Sequence, residues 1–262
     1  MKLKFYGARG STPVYLPENA GYGCNSMCAA LSFEDYCLVF DCGTGASPLR
    51  REEAGRAARL DLLISHLHID HIVGLPALAD APGAVSLYTV SRDERPLPEQ
   101  VFGVFKPPYW PVSFAEAFGA RVCEVFPNTP FFLKNGEIKA TPFRLPHPDF
   151  TTGFRIECGG KVLVYMSDCE MAGERTPEEA FGADLIIFDA AYSPEDYEKF
   201  RGYGHSTYED AARVKRESGC KRMLLAHFDQ AYSDREMDGF AERLRAIDEN
   251  IELAREMGTW EI

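Results

Sequence analysis

The sequence predicts an α/β sandwich, with two β-sheets packed face to face and helices outside them. Three observations predict it. Short apolar runs with strand character recur between segments rich in Gly, Pro and Asn. Polar helical stretches are interleaved with them in both halves. Several apolar runs end abruptly in His or Asp, so a strand hands over to a polar side chain again and again. Each half carries β-hairpins followed by such units, which fits two sheets better than one doubly wound sheet. The 262 residues suit one domain spanning 1–262, and 45% hydrophobic content supplies its core.

Taken in order, Lys2–Tyr6, Cys28–Phe33 and Cys37–Phe40 read as strands. Asp41-Cys42-Gly43-Thr44-Gly45 is a turn at a strand end, and Pro48 to Arg59 reads as a helix. Leu60–Ser65 is a buried strand that runs into a cluster of histidines. Residues 92–119 differ in character. A polar stretch marked by Pro96 and Pro98 leads into Phe102, Phe105, Tyr109 and Trp110, and so many prolines break strands and long helices. The segment is an insertion: either a lid whose Phe105, Tyr109 or Trp110 stacks a base, or a satellite core under a long loop. Phe154–Cys158 and Lys161–Met166 form a hairpin around Gly159-Gly160. Leu185–Phe188 is a buried strand, Thr207–Ser218 an amphipathic helix stopped by Gly219, Arg222–Ala226 a strand ending at His227, and Arg235–Met257 a surface helix.

Charge narrows the function. The net charge is -12 and the pI about 5.0, with no Lys/Arg run, which disfavours large RNA or DNA as a partner. No run approaches the ~18 apolar residues of a membrane-spanning helix. The N-terminus lacks the apolar core of a secretory signal. These readings place the protein in the cytoplasm, with its eight cysteines as reduced thiols. A homodimer is compatible with the sequence.

The chain has six histidines, and three of them, His66, His68 and His71, fall with Asp70 in one six-residue window. If the strand ends near Ser65 and the chain turns into a helix, all four side chains converge. Imidazole nitrogen and carboxylate oxygen are ordinary ligands of zinc, iron and manganese. The spacing supplies ligands for two ions.

Ser65-His66-Leu67-His68-Ile69-Asp70-His71, followed by Gly74, resembles the H-x-H-x-D-H signature of the metallo-β-lactamase superfamily. Further matches follow in the family's order: His147 in Pro146-His147-Pro148, Asp168 after Tyr165-Met166-Ser167, and His227 after Leu225-Ala226. The resemblance covers nearly the whole chain. It implies a four-layer αββα sandwich and a binuclear hydrolase with two divalent metal ions, zinc first and manganese or iron as alternatives. It implies that His66, His68 and His147 hold one metal and that Asp70, His71 and His227 hold the other. Asp168 would bridge both. Asp41 would support the ligands or cap its turn.

The sixth histidine lies in Gly202-Tyr203-Gly204-His205-Ser206-Thr207, where Ser206 or Thr207 is placed to cap the next helix. A Gly-His-Ser-Thr segment between the bridging Asp and the last His resembles the phosphodiesterase branch of the superfamily. That branch includes tRNase Z and the cyclic-phosphate phosphodiesterases of phosphonate metabolism. By this resemblance His205, Asp168 and Asp70 are catalytic, and hydroxide held between the metals attacks phosphorus while His205 assists the leaving group. The tRNA-processing enzymes carry a long arm between the residues matching His147 and Asp168. This chain has only a hairpin there, so a small or cyclic phosphodiester is the expected substrate. A thioester or lactone hydrolase of glyoxalase II type is the alternative. The phosphonate-pathway enzymes also carry a cysteine-based zinc site near the N-terminus. Here only Cys24 and Cys28 fall in that region, so no structural zinc is expected. Asn25 and the hydroxyls of Ser11, Thr12 and Ser26 line the pocket or make tight turns.

Overall fold

A computed structural model describes residues 1–53, 56–81, 83–114 and 118–262. Two seven-stranded sheets dominate it. The first runs β14 (Thr259–Glu261), β1 (Lys2–Gly7), β2 (Cys28–Ser32), β3 (Tyr36–Phe40), β4 (Arg59–Leu63), β5 (Ala84–Thr89) and β6 (Arg121–Glu124). The second runs β13 (Ile251–Leu253), β12 (Arg222–Ala226), β11 (Leu185–Asp189), β10 (Lys161–Met166), β9 (Thr151–Cys158), β8 (Ile138–Leu145) and β7 (Phe131–Leu133).

Strand alternation explains the layers. Tyr36, Leu38 and Phe40 of β3 enter the core between the sheets, while Cys37 and Val39 face outward. The outward set meets α1 (Ala46–Glu52) through Leu49 and α3 (Leu97–Phe102) through Val101 and Phe102. On the other side, beyond the short α4 (Pro194–Phe200), α5 (Tyr208–Ser218) and α6 (Asp234–Ile247) cover β12 and β13. The architecture is therefore a four-layer αββα sandwich. Thr207 begins α5 with a capping box to Asp210, and Gly219 ends it in the left-handed region at φ 64°.

Topology positions the site. In the first sheet β3, β4, β5 and β6 are parallel, and in the second β10, β11, β12 and β13 are parallel. The C-terminal ends of each parallel set therefore share one edge, where their following loops meet. Arg9 stitches the two sheets there, forming isolated bridges to both Ser26 and Phe228.

Some boundaries differ from the sequence reading. The helix expected over Pro48–Arg59 runs only from Ala46 to Glu52, and Arg59 opens β4 instead. Residues 54 and 55 lie outside the described residues. The helix expected over Arg235–Met257 stops at Ile247, because Ile251–Leu253 finds a parallel partner in β12. The hairpin, the strands ending at His66 and His227, and α5 lie where expected. In the 92–119 segment, residues 115–117 fall outside the described residues. Phe102, Phe105, Phe114 and Phe118 pack together against the outer face of the first sheet. Phe105 is thus core and cannot stack a substrate base. Trp110 leans on Phe105 and Phe114, while Tyr109 is exposed. Among the described residues no helix is long and apolar enough to cross a membrane.

Leu31, fully buried between the sheets and remote from the histidines in sequence, reports on this core alone. Leu31→Ala is expected to destabilise the fold by about 2–5 kcal/mol. Denaturant unfolding measures the loss, and bound metal per folded chain should not change.

Candidate metal centre

The H-x-H-x-D-H run is half strand extension and half helix. Past β4 the chain stays extended through His68, which has φ -61° and ψ 149° and precedes α2 (Ile69–Ile72). His66 and His68 project from extended backbone, and Asp70 and His71 from the first helical turn. Gly74 follows α2 because its neighbour is backbone: a Cβ there would sit 2.0 Å from the Gly43 carbonyl oxygen. Gly74 N donates to Cys42 O at 2.8 Å and Cys42 N to His71 O at 2.8 Å, so the turn after β3 and the histidine helix are fastened together.

The other side chains arrive from strand ends of the second sheet. His147 follows β8, Asp168 follows β10 and His227 follows β12. The ligand atoms of His66, His68, His147 and Asp168 lie within 4.8 Å of one another, and so do those of Asp70, His71, Asp168 and His227. Asp168 belongs to both groups and divides its oxygens between them. Its Oδ2 lies 3.6 Å from His66 Nε2, while its Oδ1 lies 3.2 Å from both His71 Nε2 and His227 Nε2. The structure thus brings together all seven residues that the sequence singled out as ligands.

The donor set fits divalent cations. Nε2 of His66, Nε2 of His71 and both ring nitrogens of His147 are buried without a hydrogen-bond partner among the described residues. Leaving such atoms unpaired costs about 1–3 kcal/mol each, which a bound cation would remove. Burial pushes the imidazoles of His66 and His68 below their usual value and that of His147 down to about 4, so these rings keep open lone pairs. Burial works against the charge of Asp70 and Asp168, but the imidazoles of His71 and His227 outweigh it and hold both carboxyls well below the usual range. At His71 the same balance runs the other way: burial lowers its pKa, and the carboxylates of Asp168, Asp70 and Asp41 raise it well above the usual value.

Asp41 sits behind this array, fully buried, at the strained φ of 54°. Its Oδ2 accepts from His71 Nδ1 at 2.7 Å, Ser65 Oγ at 2.8 Å and Tyr165 OH at 2.6 Å, and its Oδ1 accepts from Ser65 N at 2.7 Å. The bond to Nδ1 orients the ring so that His71 Nε2 lies 3.2 Å from both Asp70 Oδ2 and Asp168 Oδ1. Two glycines make room for ligand rings: a Cβ on Gly10 would lie 2.4 Å from the His227 ring, and one on Gly204 would lie 2.2 Å from that of His147. Asn25 joins Tyr15 OH to Glu256, and Ser26 Oγ donates to the carbonyl of Asp70 at 3.0 Å, so both brace loops. The backbone N–H of Ser11 donates to Asp70 Oδ2 at 2.9 Å.

His205 stacks on His227, with ring centroids 4.9 Å apart, and its Nδ1 bonds Asp189 Oδ2 at 2.9 Å. Burial opposes its charge, but the Asp189 carboxylate overrides burial and raises its pKa to about 9. Asp189 itself is fixed by the N–H groups of Cys169 and Ala191, each at 3.0 Å. The sequence alone does not set Asp189 apart as a site residue. The available signal was the polar residue that closes the apolar run Leu185–Phe188, the same strand-to-ligand handover seen at His66 and His227.

The site and its frame agree with the comparisons. A model of the β-lactamase superfamily domain matches residues 36–228, most of the chain. The chain belongs to this superfamily. Among curated superfamily relatives, a ribonuclease Z of Ignicoccus hospitalis is 26% identical over 77% of this chain and 81% of its own length. Among solved structures, the metallo-β-lactamase fold protein YhfI of Bacillus subtilis superposes with a TM-score of 0.76 at 21% identity, covering 100% of this chain and 99% of that one. A diphosphatase of the PhnP family gives 0.71 at 17% identity, covering 100% and 96%. The ligand order and the Gly-His-Ser-Thr segment thus sit on the fold they resemble.

Asp41→Asn keeps the shape behind His71 but presents N–H where a carboxylate accepted. Metal affinity is expected to fall about 10–100-fold, measured by chelator competition on the folded variant.

Proposed function

We propose that this protein hydrolyses phosphodiesters with two divalent metal ions, one in each of the two groups that share Asp168, and that its substrate is a small or cyclic diester. The single observation that carries the reading is the division of the Asp168 oxygens between two complete His/Asp groups, with the Asp189–His205 pair beside them. Zinc suits the donor set first, with manganese and iron as alternatives.

Such ions lower the pKa of water and clamp attacking and leaving oxygens of an in-line displacement. The chain's own residues supply the rest. His66, His68 and His147 would hold one ion, and Asp70, His71 and His227 the other. Asp168 belongs to both groups and would be a ligand in each. His205, its Nδ1 held by Asp189 Oδ2 at 2.9 Å, would present its other ring nitrogen to the departing alkoxide and give it a proton. Asp189 orients that ring through Nδ1. Two carboxylates in the centre leave a modest positive charge on two divalent ions, which suits a monoanionic diester.

Two observations support a small substrate over a large RNA. Between His147 and Asp168 the chain is occupied by β9, the Gly159-Gly160 turn and β10, with no arm. The net charge of -12 also opposes a polyanion. Against this stands the ribonuclease Z name of the curated relatives, so the test sets the two substrates side by side.

Metal-loaded protein is expected to hydrolyse bis-p-nitrophenyl phosphate and a cyclic nucleotide. Chelation should abolish turnover, and zinc or manganese should restore it. His205→Ala should lower kcat by about 10²–10⁴-fold with bound metal unchanged. Cleavage of a structured RNA far more efficiently than either small diester would contradict the small-substrate reading. No turnover of any diester under zinc, manganese or iron would contradict the reaction class.

A further inference from the structure

Arg92 stands just past β5, at the start of the segment that leads to α3. In sequence it belongs to the charged run Arg92-Asp93-Glu94-Arg95. Its neighbours behave as that run suggests: Asp93 and Arg95 are exposed and pair with each other at 2.6 Å. Arg92 turns inward instead. Its Nη2 donates to the carbonyl of Ser65 at 2.9 Å, and its Nη1 donates to the carbonyls of Asp149, at 2.9 Å, and Phe150. The guanidinium lies 4.0 Å from the centroid of the Phe150 ring.

These carbonyls belong to two particular loops. Ser65 immediately precedes His66. Asp149 and Phe150 close the turn that begins at His147, whose carbonyl accepts from Phe150 N at 3.0 Å. Ser65 O also accepts from Thr152 N at 3.0 Å, so Arg92 and β9 grip the same atom. The launch point of Arg92 is itself held. Its backbone N–H donates to Gln100 Oε1 at 2.8 Å, and the amide of buried Gln100 donates to Ser91 Oγ at 2.9 Å and to the carbonyl of Arg95 at 2.6 Å. Arg92 grips the 65–71 segment only at Ser65, next to His66, and the other loop at Asp149 and Phe150; among the described residues it makes no hydrogen bond to Asp70, to His71 or to the loop of His227.

We propose that Arg92 is a positioning residue for one metal site only. It cross-braces the loop of His66 and His68 to the loop of His147, and so sets the spacing of the imidazoles in the group His66, His68, His147 and Asp168. The planar fork is suited to this task, since it reaches carbonyls on two loops at once where an ammonium would satisfy one. The inference rests on the two-metal reading above. It gives part of the 92–119 segment a role at the site without a lid: the aromatics anchor the segment to the first sheet, and Arg92 carries that anchorage to the ligands.

The test is cobalt(II) titration of the metal-free full-length chain, read by absorption, with chelator competition for each equivalent. The wild-type chain is expected to take two equivalents. Arg92→Met is expected to bind one of them about 10–100-fold more weakly and the other unchanged, with a residual spectrum like that of His66→Ala and unlike that of His227→Ala. Arg92→Lys keeps the charge and guards against loss of fold; it should weaken the same equivalent. Arg95→Ala should change neither. Two equivalents of wild-type affinity in Arg92→Met, or an equal loss in both, overturn the brace while leaving the two-metal reading intact. A wild-type chain that takes up no metal overturns that reading and the brace with it.

Discussion

Asp168 is buried where five imidazoles and a second carboxylate converge, and one of its oxygens faces each group. A lone carboxylate at that depth is unstable without compensation. Everything around it serves that compensation. The parallel strands of both sheets bring their C-terminal ends to one edge, so that His66 from the first sheet and His227 from the second approach the same carboxylate. The sandwich is the means by which residues far apart in sequence are held within a few ångströms of one another.

Behind the candidate ligands is a layer of groups that orient the rings of the site. Asp41 holds the ring of His71 through Nδ1, and Asp189 holds that of His205 in the same way. Gly10 and Gly204 leave room for rings where any side chain would collide, and Gly74 lets α2 lie on the turn after β3. Both Asp41 and His227 adopt positive φ, a strain of the kind that surrounding structure must enforce. This layer fixes the rings in place around Asp168.

Much of this was legible in the sequence, and for identifiable reasons. Six histidines with three in one window cannot be absorbed by an ordinary core, and apolar runs that end in His or Asp announce strand ends. Gly219 and Thr207 mark α5 because helix ends need a left-handed stop and a hydroxyl cap. The misses share a cause. β5, β6, β7 and β8, and the three residues of β13, are strands because of the partners beside them, and local sequence does not name those partners. Asp189 and Arg92 look like an ordinary strand end and an ordinary charged turn. Only the fold shows that Asp189 meets His205 and that Arg92 points away from Asp93 and Arg95. The aromatics of the 92–119 segment were equally suited to a lid and to a satellite core, and the rings of Phe102, Phe105 and Phe114 pack as core.

The central claim is that two metal ions share the carboxylate of Asp168. Electron paramagnetic resonance of the chain loaded with manganese(II) tests it most directly. The account predicts two manganese ions per chain with the multiline signal of an exchange-coupled pair, and its loss in Asp168→Ala. A signal of isolated, uncoupled manganese at full loading of the wild-type chain would contradict it.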